Sequence, residues 1–330
     1  MEYNNITIFN IICILILLFI LYINNIMGAL RATYAEYFSD SQQLRVYFHS
    51  FWSDFPQLSR KFFCEILSHV YGAPVIEGDY YNSNILMESV FGGTTLKDKP
   101  WKHTYLFSGE SYLRDNHADY TCILSGESDT FSPNNVAVPL YSILLHALQS
   151  TNDTRLNMDA APHMPKKDVV VIISNGGAGV RNTFIDELDK HFQVTYAGRY
   201  KNNTGGPLAA AYGTQEFADY VSQFKFVITM ENSEQDTYIT EKIFHGIHSH
   251  TIPVYWGAPR VTEYINPARF IHMKSIDDIL PTIEKMKSLA SDERVWQAMV
   301  SAPWESPNGV QPTPENIAKK ILRKLPQLRN

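Results

Sequence analysis

The sequence predicts an α/β protein of two Rossmann-like units, each a parallel sheet with flanking helices, facing each other across a cleft. Three observations carry this. Short runs rich in β-branched and aromatic residues alternate with amphipathic runs in both halves of the chain. The polar, aperiodic stretch "QSTNDTRLNMDAAPHMPKKD" (149–168), with its two prolines, separates the halves and reads as a linker. At 330 residues the chain is also longer than one average domain. The expected division is 1–28 as an apolar anchor, 29–150 as a first Rossmann-like unit and 151–330 as a second.

The anchor rests on "ITIFNIICILILLFILYI" (6–23), a run without charge. As a helix it reaches about 27 Å, close to the bilayer core. It is expected to be an uncleaved transmembrane signal-anchor, although Gly28 and Ala29 offer small residues for cleavage. The flanking charges, Glu2 before and Arg31 after, by themselves favour a cytosolic C-terminal side.

In the first unit, "LRVYFHSFW" (44–52) reads as a strand. "FPQLSRKFFCEILSHVYG" (55–72) repeats its apolar residues at helical spacing and ends at Gly72, so it reads as a helix. "NILMESVFG" (84–92), "KHTYLFSGE" (102–110) and "ADYTCILSG" (118–126) read as further strands. In the second unit, "KDVVVIISNGG" (167–177) is a buried strand running into a Gly-rich turn. "GVRNTFIDELDKHF" (179–192) follows as an amphipathic helix and "VTYAG" (194–198) as a short strand. "TQEFADYVSQF" is then a helix, "KFVITMENS" a strand, "YITEKIFHGIHSH" (238–250) a helix and "TIPVYWG" (251–257) a strand.

Composition narrows the function. The net charge of -6 leaves no basic footprint, so nucleic acid is not an expected partner. Three cysteines (Cys13, Cys64, Cys122) cannot form a disulfide framework, and Cys64 and Cys122 read as free thiols.

Open parallel sheets bind ligands beyond the C-terminal ends of their strands. In the second unit those ends carry Ser174-Asn175-Gly176-Gly177, Glu231-Asn232 and Gly257. The strand–turn–helix start at 174–181 favours an anion through free backbone N–H groups and the helix dipole. Arg181, in the first turn, either grips phosphate oxygens or is an exposed arginine of a surface helix. With a helix from 238, Glu241 and Lys242 stand in its first turn near Asn232. A lysine there opposes the dipole unless a polyphosphate is bound. The set reads as a nucleotide diphosphate site: Arg181 and Lys242 for phosphate, Glu241 for a sugar diol, Asn232 and Tyr238 for orientation. No Asp-x-Asp pair stands at a strand end, and His248 with His250 lacks a third metal ligand nearby.

The stretch "FKFVITMENSEQDTYITEKIFHGIHSHTIPVYWG" (224–257) resembles the signature of the α1,3/4-fucosyltransferases, glycosyltransferase family 10: an F-x-F strand, E-N, a spacer, Y-I-T-E-K and an I-P-V-Y-W-G strand. "SNGGAGVRNTFIDEL" (174–188) resembles the family's upstream strand–turn–helix. "LRVYFHSFWSDF" and "YLFSGES" resemble its acceptor-side domain more loosely. The resemblance implies a GT-B fold with GDP-fucose in the second unit. It implies inverting transfer of L-fucose to a glycan acceptor on a glycoprotein, glycolipid or free oligosaccharide. No cofactor would be required, with Mn²⁺ at most stimulating. By position, Arg181 and Lys242 would hold the diphosphate and Glu241 donor hydroxyls, while Asn232, Tyr238 and Asn175 would line the donor pocket. The general base would fall on Glu110, with Glu127 in the second "SGES" as the rival. The family's usual arrangement is a type II protein of the Golgi membrane with a lumenal catalytic domain. The sequons at Asn152 and Asn202 could then carry glycans.

Overall fold

The computed structural model describes residues 43–53, 55–151, 153 and 162–329. The apolar run 6–23 with the anchor expected from it, Cys13 and the sequon residue Asn152 lie outside them. Among the described residues no helix is long and apolar enough to cross a membrane.

The first sheet holds β1 (Leu44–His49), β2 (Val75–Glu77), β3 (Ile85–Glu88), β4 (His103–Phe107), β5 (Cys122–Ser125) and β6 (Asn135–Ala137), in the order β2-β1-β3-β4-β5-β6. The pairs β1–β3, β3–β4, β4–β5 and β5–β6 are all parallel. Helix α1 (Gln57–Tyr71), closed by Gly72 as expected, covers one face. Its Phe63 ring lies 4.9 Å from Phe107 and 6.2 Å from Phe48. On the other face Leu86, Leu106 and Ile123 are covered by Val90, Leu96 and Tyr120 from loops rather than by a helix. Cys64 and Cys122 are both free thiols.

The second sheet holds β7 (Lys167–Val171), β8 (Val194–Tyr196), β9 (Phe224–Ile228), β10 (Ile252–Tyr255) and β11 (Ile271–His272), in the order β11-β10-β9-β7-β8. Every pair is parallel. Val169, Val171, Phe226 and Ile252 pack against Phe184, Ile185 and Leu188 of α3 (Gly179–Leu188). On the opposite face Val170 and Val227 meet Phe217 and Val221 of α4 (Gln215–Val221). Strands buried on both faces read as near-continuous apolar runs, which is why this half is so marked in the sequence.

Three features depart from the sequence reading. Helix α2 (Tyr141–Ser150) was not among the expected elements; its Tyr141 and Leu145 share a core with Ile239, Ile243 and Phe244 of the second half. The helix expected over 238–250 is shorter: α5 spans Lys242–His248. Just ahead of it, the N–H and hydroxyl of Thr240 are both bonded to the buried Glu231 carboxylate. Beyond α6 (Ile279–Ala290) and α7 (Glu293–Val300), α8 (Pro314–Lys324), in the span expected to belong to the second unit, returns to pack on α1. There Lys324 Nζ donates to the carbonyls of Ser132 (2.8 Å), Asp129 and Asn135.

The second sequon is also not an open acceptor in the folded protein. Asn202 Nδ2 donates to Gly198 O (2.8 Å) and Gly206 O (2.9 Å), and its Oδ1 accepts from Gly206 N. The side-chain amide holds its own loop together.

Candidate active site

The site collects at the C-terminal ends of both sheets. Past β7, Asn175 Oδ1 accepts from Gly177 N at 2.8 Å and shapes the turn into α3. Arg181 stands one turn into that helix but is not a surface arginine: it is 1% exposed. Its guanidinium donates to Asn175 O (2.5 Å) and to Asn232 Oδ1 (2.9 Å). Its Nε finds no partner among the described residues. Burial lowers its pKa, while Glu231 pulls it back up. Because Arg181 takes the Asn232 oxygen, the exposed Asn232 side chain turns its NH₂ outward, where it can donate to an anion.

Glu231, beyond Thr229 and Met230 at the end of β9, is fully buried and organises the rest. Its carboxylate accepts from Thr240 N (2.8 Å), Thr240 Oγ1 (2.9 Å) and Lys242 Nζ (3.1 Å). Lys242 is the first residue of α5, where the helix dipole disfavours a cation. Desolvation alone would lower its pKa; Glu231 and then Glu241 outweigh it and hold the ammonium above its ordinary value. Burial likewise pushes the Glu231 carboxyl up, only partly offset by Lys242. Desolvation raises Glu241 too, but Lys242 and His245 bring it below the usual carboxylate range. Tyr238 is buried, with its hydroxyl kept neutral by burial and by Glu231, Glu110 and Glu241.

The segment carrying Tyr238 is clamped to the first sheet at Gly126. Thr237 N donates to Gly126 O at 2.8 Å, and a Cβ on Gly126 would sit 2.9 Å from Tyr238 Cβ. Glu127, next to Gly126, is tied to Gln235 Nε2 at 2.5 Å. Glu110 lies in the turn after β4, with its backbone N–H donating to Ser108 Oγ. Burial raises its pKa, Lys242 lowers it and Glu241 raises it again, so it lies within electrostatic reach of both. The structure therefore brings Glu110, Tyr238, Glu241 and Lys242 into one electrostatic neighbourhood, and Arg181, Asn175 and Asn232 into one hydrogen-bonded group beside it.

Sequence reasoning missed Glu231 as a site residue. The signal was present in the Glu-Asn step at the strand end, but nothing local shows that the acid points inward while the amide points out. Among the described residues no group of three or more His, Cys, Asp or Glu is arranged to hold a metal.

Residues 163–316 match the family model described as "Glycosyltransferase family 10 (fucosyltransferase) C-term". The chain is 32% identical over 153 residues to the alpha-(1,3)-fucosyltransferase FucT of Helicobacter pylori, covering 46% of this chain and 31% of that protein. It is 36% identical over 89 residues to a GDP-fucose protein O-fucosyltransferase 3 of Danio rerio, covering 26% and 19%. The matches thus span about a third or less of these relatives' lengths. In fold, it is similar to a crystal structure of an alpha1,3-fucosyltransferase with a TM-score of 0.64 at 20% identity, over 88% of this chain and 91% of that one. It is similar to such an enzyme with GDP-fucose at a TM-score of 0.59 and 20% identity, over 87% and 90%. The parallel sheets are those of the fold seen in these α1,3-fucosyltransferase structures, and residues 163–316 are similar to the C-terminal part of glycosyltransferase family 10, the fucosyltransferases.

Proposed function

We propose that the protein transfers L-fucose from GDP-β-L-fucose, with inversion, to a glycan hydroxyl, O3 of N-acetylglucosamine, leaving an α1,3-linked fucoside. The observation that carries this reading is the coupling of Glu110, on the edge of the first sheet, to Lys242 and Glu241 on the edge of the second. The similarity of residues 163–316 to the fucosyltransferase family model supports the donor.

In this reading the diphosphate lies over the start of α3 and against Lys242, with the NH₂ of Asn232 donating to it. The buried Arg181 charge supports it from below, and the turn at Asn175 shapes the pocket. Glu241 accepts from fucose hydroxyls, and Tyr238 lines the pocket. The acceptor oxygen attacks the anomeric carbon on the face opposite GDP. The new C–O bond forms as the bond to the β-phosphate oxygen breaks, GDP leaves with that electron pair, and Glu110 takes the acceptor's proton. Burial makes Glu110 a better base, and the cations stabilise the departing diphosphate. The chemistry requires no metal, though Mn²⁺ could stimulate it.

The acceptor glycan belongs to a glycoprotein, a glycolipid or a free oligosaccharide. Residues 1–28 would anchor the protein in the Golgi membrane as type II, with the catalytic domain lumenal. Protease added to sealed vesicles would then spare the domain. To test the activity, the full chain in detergent is incubated with GDP-fucose and a panel of β-N-acetylglucosaminides. The expected product gains one deoxyhexose at O3; no product with any acceptor sinks the reading.

A further inference from the structure

The Glu231 carboxylate lies behind the site and is walled in. The residue is fully buried, and its backbone N–H donates to Trp256 O at 2.8 Å. Gly257, at φ 151°, leaves room for its side chain. A Cβ there would stand 2.5 Å from Glu231 Cγ and 3.0 Å from the Tyr255 hydroxyl. Both the backbone conformation and the space require glycine at that position.

The hydrogen bonds around Glu231 fix its charge. Thr240 Oγ1 accepts from Lys242 Nζ (3.1 Å) and Lys242 N (3.3 Å). Its own proton is therefore turned to the carboxylate, whose two oxygens each lie 2.9 Å away. Thr240 N (2.8 Å) and Lys242 Nζ (3.1 Å) also donate to Glu231. With only donors facing it, the carboxyl stays ionised despite its burial.

A buried negative charge beside an anion site opposes the ligand as well as holding the cation. Arg181 and Lys242 bring two positive charges to the donor site, and Glu231 and Glu241 two negative ones. Glu241, with its side chain 43% exposed, can meet a sugar hydroxyl; Glu231, at 0%, can meet no ligand. Yet Glu231 acts on both cations, raising the pKa of Arg181 and, ahead of Glu241, that of Lys242. Loss of the sugar frees an ionisable terminal phosphate, so GDP is more negative than its sugar ester. Two unopposed cations would hold the product more tightly than the donor.

We infer that Glu231 is the counter-charge of the donor site: it fixes the Lys242 ammonium and weakens the grip of Lys242 and Arg181 on the diphosphate, so that GDP leaves after transfer. This rests on the reading of the site as one for GDP-fucose. Glu231 acts here as a positioning residue, through groups that touch the nucleotide.

The test measures GDP affinity of the full chain in detergent by calorimetry at two salt concentrations. Quenched-flow turnover with GDP-fucose and N-acetyllactosamine runs in parallel. Glu231→Gln should bind GDP about tenfold more tightly, with a steeper salt dependence. It should show a burst of fucosylated product followed by slow turnover, because release has become limiting. Glu231→Asp keeps the charge and should stay within about threefold of wild type in GDP affinity. Lys242→Gln leaves the buried carboxylate unpaired and should weaken GDP, and adding Glu231→Gln to it should recover part of that affinity. The double variant buries no lone charge, so it carries the test if Glu231→Gln alone does not fold. The inference is overturned if Glu231→Gln binds GDP no more tightly than wild type, or if the double variant binds it no better than Lys242→Gln. Failure of both Glu231→Gln proteins to fold also overturns it, marking a structural role. GDP binding that follows these expectations without fucosyl transfer would bring down the proposed activity alone; transfer by a wild type whose Glu231→Gln form binds GDP normally would bring down the counter-charge alone.

Discussion

Glu110 and Glu127 occupy the same tetrapeptide in the sequence, yet their surroundings differ in kind. One carboxyl is desolvated beside a lysine across the cleft; the other is bonded to an amide. Glu110→Gln is expected to lose about 10²–10⁴-fold in kcat with GDP-fucose affinity nearly intact, and Glu127→Gln far less. Steady-state kinetics with a calorimetric GDP titration check this, and exchanged phenotypes would make Glu127 the base. A base must be deprotonated to act, and burial raises the Glu110 pKa. The acid limb of kcat/KM should therefore lie above the ordinary carboxylate value of 4.5 and be absent in Glu110→Gln. The two cations should also differ. Lys242 is 19% exposed at the cleft, so Lys242→Ala should weaken GDP by about 1.5–3 kcal/mol. Arg181 is interior, so Arg181→Ala should weaken GDP and also cost about 3 kcal/mol of stability in a urea titration. A stable Arg181→Ala protein with normal GDP affinity would refute its role as the buried charge of the site.

The segment before helix α5 is bonded to the first half at Gly126, where Thr237 N donates to its carbonyl. Gly126→Ala would place a methyl group 2.9 Å from both Tyr238 Cβ and Gln235 Oε1 and 3.0 Å from the Tyr238 backbone. We expect a loss of about 1–3 kcal/mol with a fall in kcat, because the clamp must open to admit it. Thermal melts and kinetics on the same preparation would test this; unchanged values of both would show that the contact is slack. On the far side of α5, the His245 ring stacks on Tyr212 with centroids 4.7 Å apart and planes 2° from parallel. Burial lowers its pKa from 6.5 to about 4, only partly offset by Glu241. The unfolded chain therefore takes up a proton that the folded one refuses. The stability His245 contributes is fully present above about pH 6.5 and drains as pH falls toward 4, by up to about 1.4 kcal/mol per pH unit. His245→Phe should flatten the slope of unfolding free energy against pH in that window, and an unchanged slope would mean the ring is protonated in the fold.

At the scale of the whole molecule, the cations proposed to meet the donor belong to the second sheet and the proposed base to the first. Both are joined by α2, by the Gly126 clamp and by α8 returning to α1. In the proposed reaction, charge on the leaving diphosphate is met by side chains. Transfer should therefore survive exhaustive chelation, assayed by product mass with and without added Mn²⁺. Complete loss restored by the metal would require a cation at the phosphates.

Much of this was legible in the chain itself. Buried parallel strands must be apolar on both faces, so "KDVVVIIS" and "TIPVYWG" announce themselves. Placement at strand ends marked Asn175, Arg181, Asn232, Lys242 and Glu110 as candidates, because parallel sheets present ligands there. The start of α5, by contrast, depends on Glu231 drawing in Thr240, nine residues away. The tie on Glu127 depends on Gln235, over a hundred residues along the chain. The return of α8 is fixed in part by three carbonyls near β6, almost two hundred residues back along the chain, that accept from Lys324. Local sequence sets periodicity and turn chemistry, because those act between covalent neighbours. Which carboxylate is buried, paired or left facing the cleft is decided by groups that only packing brings together.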